Sequence, residues 1–436
     1  MTPARRTERR WPDPILRVGL WLYAAVWWLL LPVVLIYLYR RGRKDPLYSQ
    51  HLRERFGRHN SALKGAVWVH AVSLGEMRSA TPLIRALLDQ GDRVITTHFT
   101  PAGRREAQAA FAAEIAQGRV QVVWAPFDMR FAYDRFLHQF EPRLGLVMEI
   151  EVWPAMIARA RANSVPLYMC NGQYPRKSFE ADQGGLRLRA RLFGGFAGGF
   201  IKSRLMADRL YLSGMRDIAI TGELRFDQPI PQTQLDAAAL ARPLLARGRD
   251  VITLTSVVEG EDAIYIETIR NTRGKLFVYV PRAPERFDEV AKLLADAGLR
   301  VARRSEVLDA DLTLGRLSDV DVLLGDSMGE MYFYLGLCDR AIVGGGFVPK
   351  GAHNIIEPLA LKKPVIVGPH IWTITYPALE AIDAGVCQLV ETQEDLLKAI
   401  AAPSPATLEQ IDVFFETHAG GVAKTLDAIN SRHPRP

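Results

Sequence analysis

Ala66-Val67-Trp68-Val69-His70, running into Ala71-Val72-Ser73-Leu74-Gly75-Glu76, is the stretch on which the fold turns. The first five residues are nearly all apolar, too few for a helix, and predict a strand buried on both faces. From about residue 77 to 90, Leu83, Ile84, Leu87 and Leu88 fall on one side at helical spacing. A buried strand, a glycine-bearing loop and an amphipathic helix form one βα unit.

The rhythm repeats outward. Residues 93–97, 121–124, 144–148 and 166–170 are short β-rich runs separated by helical patterns. Residues 250–255, 276–280, 320–324, 340–343 and 364–367 do the same in the second half. Such alternation predicts an α/β fold with two doubly wound parallel sheets. Residues 222–234, with Pro229 and Pro231 and little periodicity, read as the linker. The expected domains are 1–45, a basic tail with a membrane-anchor helix; 46–222, an N-terminal Rossmann-like domain; and 223–436, a C-terminal Rossmann-like domain. Two such domains with a cleft between them is the GT-B architecture, with ligands beyond the C-terminal ends of the strands.

Residues 19–39 carry no charge over 21 positions, long enough at about 1.5 Å per residue to cross a hydrocarbon core of about 30 Å. Arg5, Arg6, Arg9, Arg10 and Arg17 precede this run, and Arg40, Arg41, Arg43 and Lys44 follow it. With Arg53, Arg55 and Arg58 a little further on, the cluster after the run is the heavier, which predicts that the body of the protein is cytoplasmic, and it suits anionic lipid. A helix lying in the bilayer, or reaching only part-way through it, is the rival reading. Much of the net charge of +7 sits beside this segment, which argues against nucleic acid as the partner. Cys170, Cys338 and Cys387 are sparse and odd in number, as suits a reducing compartment.

Several strand-to-helix loops carry chemistry. Glu76 is a candidate general base, although Ser73 three residues earlier also makes a capping box. Glu149-Ile150-Glu151-Val152-Trp153-Pro154 brings two carboxylates to a strand end, as sugar ligands or as helix-start acids. Arg282 follows the 276–280 strand, where a guanidinium can fork onto phosphate, while Arg286 reads as the structural partner of a nearby acid. Gly329 and Glu330 open a helix, a natural phosphate site. Gly344-Gly345-Gly346 suits close backbone contact with a nucleotide, with His353, Asn354 and Glu357 downstream.

The ordered set HAVSLGE, EIEVWP, GELRFD, VPRAPERF, GDSMGE and GGGFVPKGAHNIIEP, after an anchor and the ERFG element at residues 54–57, resembles the Kdo (3-deoxy-D-manno-octulosonic acid) transferase family over essentially the whole chain. The resemblance implies a metal-independent, inverting GT-B enzyme that needs no cofactor. It implies CMP-Kdo as donor, a lipid A precursor as acceptor and the inner membrane as location. It makes Glu76 the general base and Arg282 the phosphate ligand. It places Gly329, Glu330, Gly345, Gly346, Asn354 and Glu357 around the nucleotide and ribose.

The chain departs from the family pattern near the expected pockets. Val257-Val258 stands for Ser-Thr, Ala283 for histidine, Gln173-Tyr174 for Arg-Leu, Gly346 for serine and Ile371-Trp372 for an aromatic-Asn region. Each change removes or alters a hydrogen-bonding group that a polar sugar could use. A GT-B enzyme using another nucleotide sugar, such as a UDP-sugar, and a catalytically silent membrane scaffold are the competing readings.

Overall fold

A computed structural model describes residues 11–313, 315 and 319–434 of the chain. Arg5, Arg6, Arg9 and Arg10, the first part of the basic flank, lie outside them.

The opening strand, β1 (Val67–His70), is buried throughout and sends alternate side chains to opposite faces. Trp68 enters one core with Tyr133 and Phe136, while Val67 and Val69 enter the other with Leu83 and Leu87. Both faces are covered, as a parallel sheet requires. Its partners are β2 (Val94–His98), β3 (Val120–Trp124), β4 (Leu144–Met148), β5 (Leu167–Gly172), β6 (Gly198–Ile201) and β7 (Ile218–Ile220). They form a parallel sheet in the order β3-β2-β1-β4-β5-β6-β7. The switch in direction falls between β1 and β4, so the loops after these two strands stand side by side at the ligand-binding end of the sheet.

The second unit repeats the plan with β8 (Val251–Val257), β9 (Leu276–Pro281), β10 (Val301–Arg303), β11 (Val322–Leu324), β12 (Arg340–Val343), β13 (Val365–Val367) and β14 (Cys387–Leu389). Their order is β10-β11-β9-β8-β12-β13-β14, again parallel, with a packed core on each face. Here the switch lies between β8 and β12.

One unit takes the chain as far as Gln228 and again from Gly420; the other is Pro229–Ala419. The expected boundary at 222/223 therefore moves by a few residues, and the tail does not stay with the second half. The reason is Asp227 in the GELRFD element. Its carboxylate accepts the backbone N–H groups of Gly420 (2.7 Å) and Val422 (2.6 Å), capping the terminal helix Gly421–Arg432. That helix buries Leu426 and Ile429 in the first unit's core.

The N-terminal helix Pro14–Gly42 is long and apolar enough to cross a membrane, and is consistent with membrane association. Asp13 caps its first turn by accepting the Leu16 N–H. ERFG is structural. Glu54 pairs with Arg104 at 2.6 Å and accepts the Trp124 N–H, while the fully buried Arg55 lies 4.2 Å over the Trp124 ring.

Candidate active site

Glu76 sits in the first turn of the helix Leu74–Asp89, directly after β1, because Ser73 caps that helix. One carboxylate oxygen accepts the Val72 N–H at 2.7 Å and the other accepts the Ser73 hydroxyl at 3.1 Å. The expected capping box is half formed: Ser73 accepts the Glu76 N–H, but the Glu76 carboxylate takes the N–H of Val72 in place of that of Ser73. Burial raises the Glu76 pKa to about 7, with the nearby charges of Glu151 and Glu149 adding to it. A carboxyl held near neutrality is suited to accept a proton in one state and release it in the other.

The neighbouring acids belong to the loop after β4, which pairs with β1. Glu149 takes a left-handed backbone (φ 56°), which turns the chain sharply out of the strand. Its carboxylate accepts from Gln173 at 2.8 Å and from Arg225 at 3.1 Å, with Lys202 at 3.6 Å. Glu151 accepts the Trp153 indole N–H at 2.5 Å, and the Trp153 ring meets His70 and Phe99 edge-on. The helix Pro154–Ala162 begins immediately after this loop, and its first N–H groups are held by the buried Asp128.

Beneath the acids lies a buried network that sequence reasoning missed. Glu223 is 2% exposed, pairs with Lys202 at 2.7 Å and accepts from Asn171 at 2.7 Å. Burial alone would raise its carboxyl, but Lys202 and Arg225 outweigh that and hold it down at about 2. Gln173, found where the family carries arginine, donates to Glu149. The cations serving this group are Arg225 and Lys202.

In the second unit, the loops after β11, β9, β8 and β12 lie at the ends of four consecutive strands. Arg282 follows β9, is exposed, and donates its backbone N–H to Val257. Burial lowers the His353 pKa to about 4, and the positive charge of Arg282 adds to the effect. His353 also lies 3.2 Å from the position a Cβ would take on Gly345, so Arg282, His353 and the glycine loop share one locality. His353 Nε2 is buried and has no hydrogen-bond partner among the described residues. Asn354 accepts the Ile356 N–H at 2.9 Å and fixes the turn into the helix Ile356–Ala360, which carries Glu357.

The glycine run behaves differently from its expected use. A Cβ on Gly344 would meet the Ser256 carbonyl at 2.6 Å, one on Gly345 the Gly351 carbonyl at 2.3 Å, and one on Gly346 the Gly368 nitrogen at 2.8 Å. The close backbone approach these residues permit is therefore between segments of the chain itself. Glu261, a further residue that sequence reasoning left out, organises the loop through the N–H groups of Gly345 and Phe347. Its setting in the sequence, the acid-rich turn Glu259-Gly260-Glu261-Asp262, does not single it out.

Gly329 (φ 85°) has open space where a Cβ would stand, which leaves its backbone approachable. Glu330 is engaged elsewhere: both carboxylate oxygens lie 2.7 Å from the guanidinium of Arg304, and one accepts the Ser327 hydroxyl. Arg286 pairs with Asp262 at 2.8 Å, the structural role its position suggested.

Two parallel seven-stranded α/β units are those of a protein of the GT-B fold. Solved structures with that fold include a UDP-N-acetylglucosamine 2-epimerase (TM-score 0.57, 14% identity, covering 85% of this chain and 97% of that one). Another is a glycosyltransferase from Rickettsia africae (TM-score 0.56, 12% identity, 87% and 100%). The family described as 3-deoxy-D-manno-octulosonic-acid transferase (kdotransferase) matches residues 50–228. The Bordetella pertussis 3-deoxy-D-manno-octulosonic acid transferase is 38% identical over 92% of this chain and 96% of its own length. The Haemophilus influenzae protein of the same name is 32% identical over 87% and 89%. The chain belongs to the Kdo transferase family.

Proposed function

We propose that this enzyme transfers Kdo from CMP-Kdo to a lipid A precursor, with inversion at the anomeric carbon and without a metal ion. The near full-length match to the Bordetella pertussis transferase carries this reading.

The residues support a direct displacement. Glu76 takes the proton from an acceptor hydroxyl as that oxygen bonds to the anomeric carbon of Kdo. The bond from that carbon to the phosphate oxygen breaks, and its electron pair leaves with CMP. Attack from the face opposite the leaving group inverts the centre. The N–H of Val72 and the hydroxyl of Ser73 aim the Glu76 carboxylate, and its raised pKa suits a base working near neutrality. Arg282 neutralises charge on the departing phosphate. The unpartnered His353 Nε2 offers a hydrogen bond to the donor, Gly329 offers approachable backbone, and Gly345, Gly346, Asn354 and Glu357 shape the surrounding loop. Glu330 shapes the β11 loop through Arg304.

The exposed Arg40, Arg41, Arg43 and Lys44 support a location on the cytoplasmic side of the inner membrane, against anionic lipid. Nucleic acid is not a partner in this reading. The test is selective protection of the purified protein against heat: CMP raises the unfolding temperature and UDP does not. Protection by UDP alone would remove the CMP assignment.

A further inference from the structure

The N-terminal helix is apolar on every side, yet only one side of it is available to lipid. Leu16 and Leu20 pack into the first unit's core, and Trp27, Leu31, Leu35 and Leu38 pack with Phe127, Met129 and Phe56. Between these sets, the Tyr23 hydroxyl donates to Asp128 at 2.8 Å. Contacts at positions 16, 20, 23, 27, 31, 35 and 38 recur every three or four residues, tracing one continuous stripe along the helix. The opposite stripe is bare: Val18, Trp21, Leu22, Leu29, Val33 and Ile36 are each 55–78% exposed.

Both ends of the helix are held by the same folded unit. At the start, the Trp11 indole N–H donates to the Arg191 carbonyl at 3.0 Å, and Asp13 pairs with the Arg191 guanidinium at 2.5 Å. At the far end, Arg41 lies 5.3 Å over the Tyr48 ring, and Asp45 pairs with Arg105 at 2.5 Å. A helix of 29 residues separates these anchor points by about 43 Å. For it to cross a bilayer, the two ends would have to face opposite aqueous phases. The globular unit joined to both would then fill the hydrocarbon depth between them, with Asp128, held by Tyr23 within the helix, inside it. Charged groups at that depth are costly.

We infer that the helix lies in the plane of the bilayer, its bare stripe sunk into the acyl region of one leaflet and its other stripe covered by the first unit. This resolves why the helix is apolar all round. An interfacial helix ordinarily needs a polar face; here protein covers the second face and lipid the first. The exposed Arg17, Arg40, Arg43 and Lys44 stand at the ends, placed to meet anionic headgroups while the middle is buried. The inference rests on the reading that this helix meets a membrane, and adds that it does not span one.

The test uses the full chain with single cysteines at exposed positions. The native Cys170, Cys338 and Cys387 are buried. Leu22→Cys, Leu29→Cys and Ile36→Cys fall seven residues apart on the bare stripe and carry spin labels. In phosphatidylcholine–phosphatidylglycerol vesicles, an in-plane helix gives all three labels the same immersion depth. A spanning helix gives a deep label at position 29 between two shallower ones, and that profile overturns the inference. Arg17→Cys and Arg43→Cys provide the second readout in sealed bacterial membrane vesicles. Labelling of both by an impermeant maleimide from one and the same side supports it; labelling from opposite sides overturns it. If the protein fails to float with vesicles at all, the membrane reading itself falls, an outcome distinct from a spanning profile.

Discussion

Glu261, with none of its surface exposed, accepts the backbone N–H of Gly345 at 2.7 Å and thereby ties the loop after β12 to the helix after β8. The same carboxylate accepts the N–H groups of Phe347 (3.0 Å) and Val258 (3.2 Å). One acid thus fixes the backbone on which Gly345, Gly346 and, further along, His353 stand.

Glu261→Ala leaves those buried donors without an acceptor. The expected cost is about 2–3 kcal/mol of stability, read by urea denaturation. CMP protection is expected to weaken with it. Unchanged stability would show that the loop holds itself.

Lys202 and Glu223 make the second buried linkage. Lys202→Met strands an uncompensated carboxylate, and a loss of about 3–5 kcal/mol is expected by the same measurement. The pH dependence has a definite sign. The Glu223 pKa is held down at about 2. Its contribution is therefore complete above the ordinary carboxylate range and is lost as pH falls towards 2. Acid unfolding of the wild type is expected to move to higher pH in the Lys202 variant.

Gly346 and Gly368 pack backbone to backbone, with a Cβ on Gly346 placed 2.8 Å from the Gly368 nitrogen. Gly346→Ser, which restores the residue usual in the family, is therefore expected to destabilise this chain by about 1–3 kcal/mol, measured as a fall in Tm. A neutral or stabilising result would mean that the two loops separate easily.

As the proposed base, Glu76 is expected to set the pH profile of the reaction. The proposed mechanism requires its base form, and burial with the Glu151 and Glu149 charges raises its pKa to about 7. Turnover is expected to rise with pH through about 7 and then level off. Glu151→Gln keeps an acceptor for the Trp153 N–H but removes a negative charge, so the rising limb is expected to move to lower pH. Because the Glu76 pKa is raised, the protonated form favours folding. Its contribution is present below the ordinary carboxylate pKa and is lost as pH rises towards 7. Glu76→Gln is expected to abolish turnover and flatten that part of the stability profile. A rising limb unmoved by Glu151→Gln would detach Glu76 from the pH profile.

The strands at the centre of each sheet were legible because residues such as Val67, Trp68 and Val69 are buried on both faces and read as unbroken apolar runs. The edges were not. Gly198-Gly199-Phe200-Ile201 forms β6 with two glycines, and Ile218–Ile220 and Cys387–Leu389 are only three residues long. None of the three carries a pattern that periodicity detects. The chain's return to the first unit was hidden for another reason: it depends on Asp227 meeting Gly420 and Val422, a contact across 193 and 195 positions. Glu76 was visible by its place after β1, but the acids that tune it come from β4, and only the sheet order brings them alongside. The glycine run was legible as a place of close approach, while its partners, Ser256, Gly351 and Gly368, were not.

The central claim is that Glu76 is the base in Kdo transfer. It is tested most directly by mass spectrometry of a lipid A precursor incubated with CMP-Kdo and either the wild-type enzyme or Glu76→Gln. The account predicts a mass gain of whole Kdo units with the wild type and none with the folded variant. No gain with the wild type, or an undiminished gain with Glu76→Gln, would contradict it.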